Sequence, residues 1–158
     1  MKLSLIVVGR TVDKLYVSAI DDYLKRLQRT QLPCSMQVIP ELKNAKAMSN
    51  EVQKEKEGEL ILKALQPGDH IVLLDEHGKE MRSMEFADYL SHKMHTLPKR
   101  LVFIIGGPYG FSPAVYQAAH EKMSLSKMTF SHQMIRLFFV EQVYRAMSIL
   151  QGSPYHHE

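Results

Sequence analysis

The sequence predicts an α/β protein, a mainly parallel sheet flanked by helices. Two observations carry that reading. Lys2–Val8, His70–Asp75 and Leu101–Ile105 are largely apolar runs without alternation, the pattern of strands buried on both faces, as in parallel sheets. The segments between them place apolar residues at helical spacing, so strands and helices alternate along the chain. Right-handed crossovers limit the connections and leave the strand order open.

Taken in order, Lys2–Val8 is the first strand, closed by Gly9-Arg10. Lys14–Arg29 follows as a helix. Leu15, Ala19, Ile20, Tyr23 and Leu27 recur at helical spacing, and Lys25, Arg26 and Arg29 crowd its last turn, where cations complement the helix dipole. Ser35–Ile39 is a second strand, stopped by Pro40. Glu41–Asn50 is polar and aperiodic, a loop. Asn50 then caps a helix to about Leu65, with Gln53 placed as its capping-box partner. Lys54, Glu55, Lys56 and Glu57 mix signs, as on a solvated face. Gln66-Pro67-Gly68-Asp69 breaks that helix. The strand His70–Asp75 ends at the turn His77-Gly78-Lys79, and Ser83 caps a helix over Met84–His95. The strand Leu101–Ile105 passes through a glycine turn into a helix over Pro113–Lys122, with Ser112 as cap and proline at the first helical position. Ser124–Phe130 is short, semi-polar and β-compatible, a fifth strand. Ser131 caps a long apolar helix from His132 to about Leu150, terminated by Gly152 and Pro154. A helix apolar on so much of its surface implies a subunit interface.

The chain of 158 residues is expected to form one domain, residues 1–158, with a core of its own. No apolar run approaches the ~20 residues of a membrane span, and the apolar start is too short for a signal h-region. No membrane partner and a cytosolic location are therefore expected. The single Cys34 excludes an intramolecular disulfide and a cysteine metal cluster. His92 and His95 have a spacing that could hold a metal, but no third ligand accompanies them, so no metal is expected. The net charge of +3 permits a polyanionic partner without demonstrating one.

The turn Gly106-Gly107-Pro108-Tyr109-Gly110 follows the buried strand directly. Ligands of open α/β sheets sit at the carboxyl ends of strands, where glycines admit close backbone approach. Gly106, Gly107 and Gly110 are thus candidate binding residues, although the same composition serves a plain chain reversal. The spacing is not G-x-G-x-x-G and there is no Walker A sequence, which disfavours dinucleotide and P-loop chemistry. No G-x-S-x-G or H-E-x-x-H occurs, and Cys34 has no histidine nearby in sequence. The remaining polar residues gather late: His132, Arg136, Glu141 and Arg145 with the terminal Tyr155-His156-His157. Glu141 and Arg145 stand four apart, which is also the spacing of a structural ion pair. The residues alone reach a small-ligand site and a polar cluster, and no reaction.

Four stretches, Ile104–Gly110, Leu125–Arg136, Glu141–Ala146 and Pro154–His156, together resemble one family, the bacterial large-subunit ribosomal RNA methyltransferase H family. It is a small branch of the SPOUT (trefoil-knotted) methyltransferases. The resemblance begins at Met1-Lys2-Leu3, passes through Glu57-Gly58 and covers nearly the whole chain. It implies a SPOUT-type fold with a C-terminal trefoil knot and a homodimer. It implies methyl transfer from S-adenosyl-L-methionine to N3 of a pseudouridine in 23S rRNA within the ribosome. Cofactor contacts would come from Leu74, Gly106, Gly107, Gly110 and the segment Leu125, Ser126, Lys127, Met128, Thr129 and Phe130. His132, Glu141, Arg145, Tyr155 and His156 would position substrate and handle its proton, the terminal Tyr-His of one subunit completing the site of the other. Two departures stand out: Ser131 replaces a proline common in relatives, and His157-Glu158 extends the tail. A methyltransferase of the same fold acting on transfer RNA, or a non-catalytic nucleotide- or RNA-binding module, is the alternative.

Overall fold

The computed structural model describes residues 1–157; Glu158, at the end of the tail extension, lies outside the described residues. Five strands, β1 (Lys2–Val8), β2 (Cys34–Ile39), β3 (His70–Glu80), β4 (Arg100–Ile105) and β5 (Glu121–Ser124), form one all-parallel sheet in the order β2-β1-β4-β3-β5. The helices are α1 (Lys14–Leu27), α2 (Asn50–Ala64), α3 (Ser83–Thr96), α4 (Pro113–Ala118) and α5 (Met134–Gln151). None is long and apolar enough to cross a membrane among the described residues.

The unbroken apolar strands are explained by cover on both faces. Leu3, Leu5 and Val7 of β1, with Leu101, Phe103 and Ile105 of β4, pack on the side of α1, α3 and α5. Ile6 and Val8, with Val102 and Ile104, pack against Ile61 of α2 and Val115 of α4. Successive residues of a strand point to opposite faces, so a doubly covered strand must be apolar throughout. The Phe103 and Phe139 rings, 4.8 Å apart, join the sheet to α5.

The structure revises several expectations. The helix after the glycine turn stops at Ala118, not Lys122, and the fifth strand is Glu121–Ser124 rather than Ser124–Phe130. His120 explains the early exit: its N–H donates to the Ile71 carbonyl, and its Nδ1 accepts from the Ile71 N–H at 3.0 Å. The chain is thereby drawn onto the sheet edge. There Glu121 is held by Lys93 at 2.8 Å, by the Tyr89 hydroxyl at 3.0 Å and by His70. β3 does not end at Asp75 but runs to Glu80. Met123 of β5 pairs with both Leu74 and Lys79, so residues 75–78 are thrown out as a bulge in place of the expected turn. Ser49, not Asn50, caps α2, and Gln53 bonds Glu57 rather than a cap. Arg82, not Ser83, stands at the N-cap of α3, and its N–H donates to the Glu85 carboxylate. Glu57, expected on a solvated face, is buried.

At Gly78 and Gly152, among other glycines, a side chain would collide or be strained. Gly78 ends the bulge against the next strand, where a Cβ would stand 2.5 Å from the backbone nitrogen of Met123. Gly78→Ala therefore forces the β3–β5 backbones apart, and a loss of about 1–3 kcal/mol is expected, the range of overpacked cores. Chemical denaturation checks it, and an unchanged midpoint would rule out this close approach. Gly152, with φ of 71°, ends α5 in the left-handed conformation.

At the other end, α5 begins at Met134 with Gln133 at its N-cap, rather than at His132 behind a Ser131 cap; Ser131 Oγ accepts from the Gln133 and Met134 N–H groups in the turn that leads into the helix. α5 packs on α1 and α3 as well as the sheet, so Phe139, Val140, Val143, Ala146 and Met147 are buried within the chain. Most of its apolar surface is thus covered without a second subunit; Phe138 and Leu150 stay exposed.

Candidate active site

A cleft of about 600 Å³ opens at the carboxyl ends of β3, β4 and β5, within the size range of small-molecule sites. Its walls are the glycine turn after β4, the 75–78 bulge and the segment after β5, with His132 and Ile135 at the start of the last helix. The glycine turn closes through Gly110 N–H to the Gly107 carbonyl at 3.2 Å, with Gly110 at φ of 82°, where a side chain would be strained. A Cβ on Gly106 would lie 3.0 Å from the Phe111 ring, and one on Gly107 would lie 2.7 Å from Glu57 Oε1. At Gly106 and Gly107, therefore, it is backbone that faces the cleft.

The opposite wall is knitted from short polar side chains. Ser124 Oγ donates to the Ser126 carbonyl at 2.6 Å, and Ser126 Oγ accepts from the Met128 N–H at 3.0 Å. These local bonds hold the segment in turns, which explains why it is not the expected strand. Thr129 Oγ1 ties it to Glu76 at 3.1 Å. Across the mouth the Tyr116 hydroxyl donates to Asp75. Burial and the carboxylate together push Tyr116 up to about 12. Burial acts to raise Asp75 as well, but the bonds from Tyr116 and the His77 N–H outweigh it and hold its carboxyl below the usual range.

His132 is the one expected catalytic residue that lines this cleft. Its pKa is lowered, first by burial and then by the nearby Arg136 guanidinium. The imidazole is held toward its neutral form, which can accept a proton. Arg136 is fully buried and ties the start of α5 to β1, donating to the carbonyls of Val8 at 2.7 Å, Gly9 at 2.8 Å and His132 at 3.0 Å, and to Thr11 Oγ1 at 3.0 Å.

The other four expected catalytic residues form a separate cluster. Arg145 donates to Glu141 Oε1 at 2.6 Å, and so does the Tyr155 hydroxyl at 3.0 Å, while Tyr23 donates to Tyr155 at 2.8 Å. A guanidinium only donates, so His156 Nδ1 accepts from Arg145 at 3.2 Å and the ring proton sits on Nε2. The Arg145 guanidinium also lies 4.9 Å from the Tyr155 ring centre. Burial, with the bonds to Tyr23 and Glu141, raises the Tyr155 hydroxyl well above the usual phenol range. Glu141 and Arg145 are therefore both an ion pair and the anchor of the tail. From His132 to Glu141 the chain advances about 14 Å at 1.5 Å per residue, and none of these four residues lines the cleft.

Of the expected cofactor residues, Leu74, Gly106, Gly107, Gly110, Leu125, Ser126, Met128, Thr129 and Phe130 line the cleft; Lys127 points outward, 3.9 Å from Glu80. Sequence reasoning missed Asp75, Tyr116 and Glu57. Asp75 had a usable signal, the last residue of a buried strand, whereas Glu57 sat unmarked in a run of alternating charge.

Known proteins share both the sequence and the fold. A family model described as "Predicted SPOUT methyltransferase" matches residues 1–156. A Bacteroides thetaiotaomicron protein named "Ribosomal RNA large subunit methyltransferase H" is 71% identical over all 158 residues, the full length of both chains. A Phocaeicola vulgatus protein of the same name is 69% identical over the same span. A crystal structure titled "Probable Methyltransferase from Bordetella pertussis Tohama I" superposes with a TM-score of 0.54 at 12% identity, covering 92% of this chain and 94% of that one; it is similar in fold.

Proposed function

The chain belongs to the SPOUT methyltransferase family, and from that premise we propose that it methylates N3 of a pseudouridine in 23S rRNA on the assembled ribosome, using S-adenosyl-L-methionine. The observation that carries the substrate is full-length identity to proteins named as large-subunit ribosomal RNA methyltransferases. The nucleotide and the atom rest on the resemblance of the late stretches. On the same reading residues 1–158 are one domain, its C-terminal third is knotted, and the protein works in the cytoplasm.

The cleft suits the cofactor. It has room for a molecule of that size, and its glycine wall leaves backbone exposed at Gly106 and Gly107, where a Cβ would press on Phe111 and Glu57 behind. Leu74, Gly106, Gly107, Gly110 and the 125–130 segment would hold it. When bound, S-adenosylmethionine supplies an electrophilic methyl on a sulfonium, so the protein must supply position and proton handling. N3 of the base is weakly acidic, and its attack is favoured by removal of its proton or stabilisation of the resulting anion. His132, held toward the neutral form in the cleft wall, can accept that proton. Glu141, Arg145, Tyr155 and His156 orient the base, with Arg145 fixing Glu141 and His156 at once. None of the four lines the cleft of its own chain, which favours a homodimer in which the tail of one protomer completes the site of the other. Recognition then relies on the shape of the ribosomal RNA and the joint dimer surface, since a net charge of +3 gives little general phosphate attraction.

The test is methyl transfer from labelled S-adenosylmethionine to ribosomes lacking the modification, followed by digestion and mass identification of the nucleosides. A methylpseudouridine in 23S rRNA is expected. Cofactor binding without incorporation into ribosomes would overturn the substrate, pointing to transfer RNA or to a binding module.

A further inference from the structure

Glu57 carries an unusual burden. Among the described residues its Oε1 is the buried side-chain oxygen without a hydrogen-bond partner. The residue is 6% exposed, and its other oxygen accepts one bond, from Gln53 Nε2 at 3.2 Å. A buried, unpaired carboxyl oxygen costs free energy, and folds rarely keep one without use. This one lies immediately behind the cleft. The position of a Cβ on Gly107 is 2.7 Å from Oε1 and 3.0 Å from Oε2, and Gly107 itself lines the cleft. A single residue of backbone separates the carboxyl from whatever the cleft holds.

The approach is built into α2. At Gly58 a Cβ would stand 2.3 Å from Ser112 Oγ and 3.3 Å from Val115, so only glycine lets the helix settle this close to α4 and carry Glu57 under the turn. The groups facing the carboxyl are neutral: Gln53 from its own helix and the Gly107 backbone from the turn, while α4 meets this part of α2 through Ser112 and Val115. Burial raises the Glu57 pKa, with the Gln53 bond opposing it. A proton is thus retained more readily than on a solvated glutamate.

We propose that Glu57 is a positioning residue whose carboxylate is the buried counter-charge to a cationic group of the methyl donor, acting through the Gly106–Gly107 backbone. The inference rests on S-adenosylmethionine as the occupant of the cleft. A cation placed across one thickness of peptide favours the charged carboxylate over the neutral acid. Binding therefore favours loss of the Glu57 proton to solvent. The same charge pairing steadies the glycine turn against the ligand. S-adenosylmethionine has two candidate cations, the sulfonium and the α-ammonium; S-adenosylhomocysteine keeps only the second.

Titration calorimetry of the full chain with each of these two ligands, between pH 5 and 8 in buffers of differing ionisation heat, reads the proton directly. Proton release with S-adenosylmethionine alone assigns Glu57 to the sulfonium; release with both assigns it to the ammonium. Either supports the proposal. Glu57→Gln keeps the shape and removes the charge. It should abolish the release and weaken S-adenosylmethionine binding about tenfold, the scale of one charge pair held ~10 Å apart at an effective dielectric constant of about 20. Binding by the unaltered chain without proton release anywhere in this range overturns the proposal and leaves the cofactor reading intact. So does a folded Glu57→Gln protein that binds both ligands as before. No binding of S-adenosylmethionine at all overturns the cofactor reading and this inference with it. Should Glu57→Gln fail to fold, the same calorimetry on the His77→Asn, His132→Asn double variant, which removes the imidazoles of the cleft, decides: release that persists supports the proposal and release lost with them overturns it.

Discussion

Arg136→Met should lower the unfolding free energy by about 3–4 kcal/mol, because it leaves buried carbonyls without donors. Arg136 is fully buried, and its guanidinium serves the carbonyls of Val8, Gly9 and His132 and the hydroxyl of Thr11. Methionine fills much of the volume and replaces none of those bonds. Burial depresses the Arg136 pKa, so the charge is itself an expense and its removal returns part of the loss. The net effect stays large because the orphaned carbonyls lie where water cannot reach them. Arg136→Lys keeps a cation without the planar fork and should fall between the two. Urea denaturation followed by circular dichroism measures both; a loss under about 1 kcal/mol for Arg136→Met would mean the guanidinium is not holding β1 to α5.

Arg145→Ala should cut turnover by about 10²–10³-fold while leaving the affinity for S-adenosylmethionine unchanged, as for loss of an oriented acid–base group. Its side chain fixes Glu141, His156 and the Tyr155 ring together, yet it lies outside the cleft. His132→Ala should be similarly slow for the opposite reason, since His132 belongs to the cleft wall. Co-expressing the two slow variants distinguishes a shared site from a local one. If a cleft uses the tail cluster of its partner, half of the randomly paired dimers carry one site with both residues intact. About a quarter of full activity should then return. Activity no better than the average of the two variants would show that each chain builds its site alone.

How much of this was legible depended on whether the cause was local. β1, β4 and the first half of β3 announced themselves, because burial on both faces leaves an apolar run that nothing else explains. β5 did not, since Glu121-Lys122-Met123-Ser124 has no strand character of its own. It is a strand because the adjoining His120 bonds Ile71, and because His70, Lys93 and Tyr89, all distant in sequence, hold Glu121 at the sheet edge. The 75–78 bulge is hidden for the same reason: it exists only because Met123 pairs twice with β3. In the site, the glycine turn was visible as a turn, but the burial of Glu57 beneath it was not, and its charge-rich neighbours pointed the other way. The roles of His132, Glu141, Arg145, Tyr155 and His156 came from resemblance. Helical spacing could pair Glu141 with Arg145 but could not bring in Tyr23 from α1.

The place of β1 in the sheet governs how the protein can be made. β1 leaves the ribosome long before β4, yet it ends between β2 and β4, and its Lys2–Val7 edge pairs with Arg100–Ile105. Its last carbonyls are then satisfied by Arg136. At about 5–20 residues per second, that edge stays open for about 5–20 s of synthesis before β4 exists. It waits longer still for the helix that seals it. Such long-range closure makes for slow folding, and a nascent chain stalled short of α5 would leave an apolar strand edge exposed to chaperones and proteases rather than a smaller working enzyme.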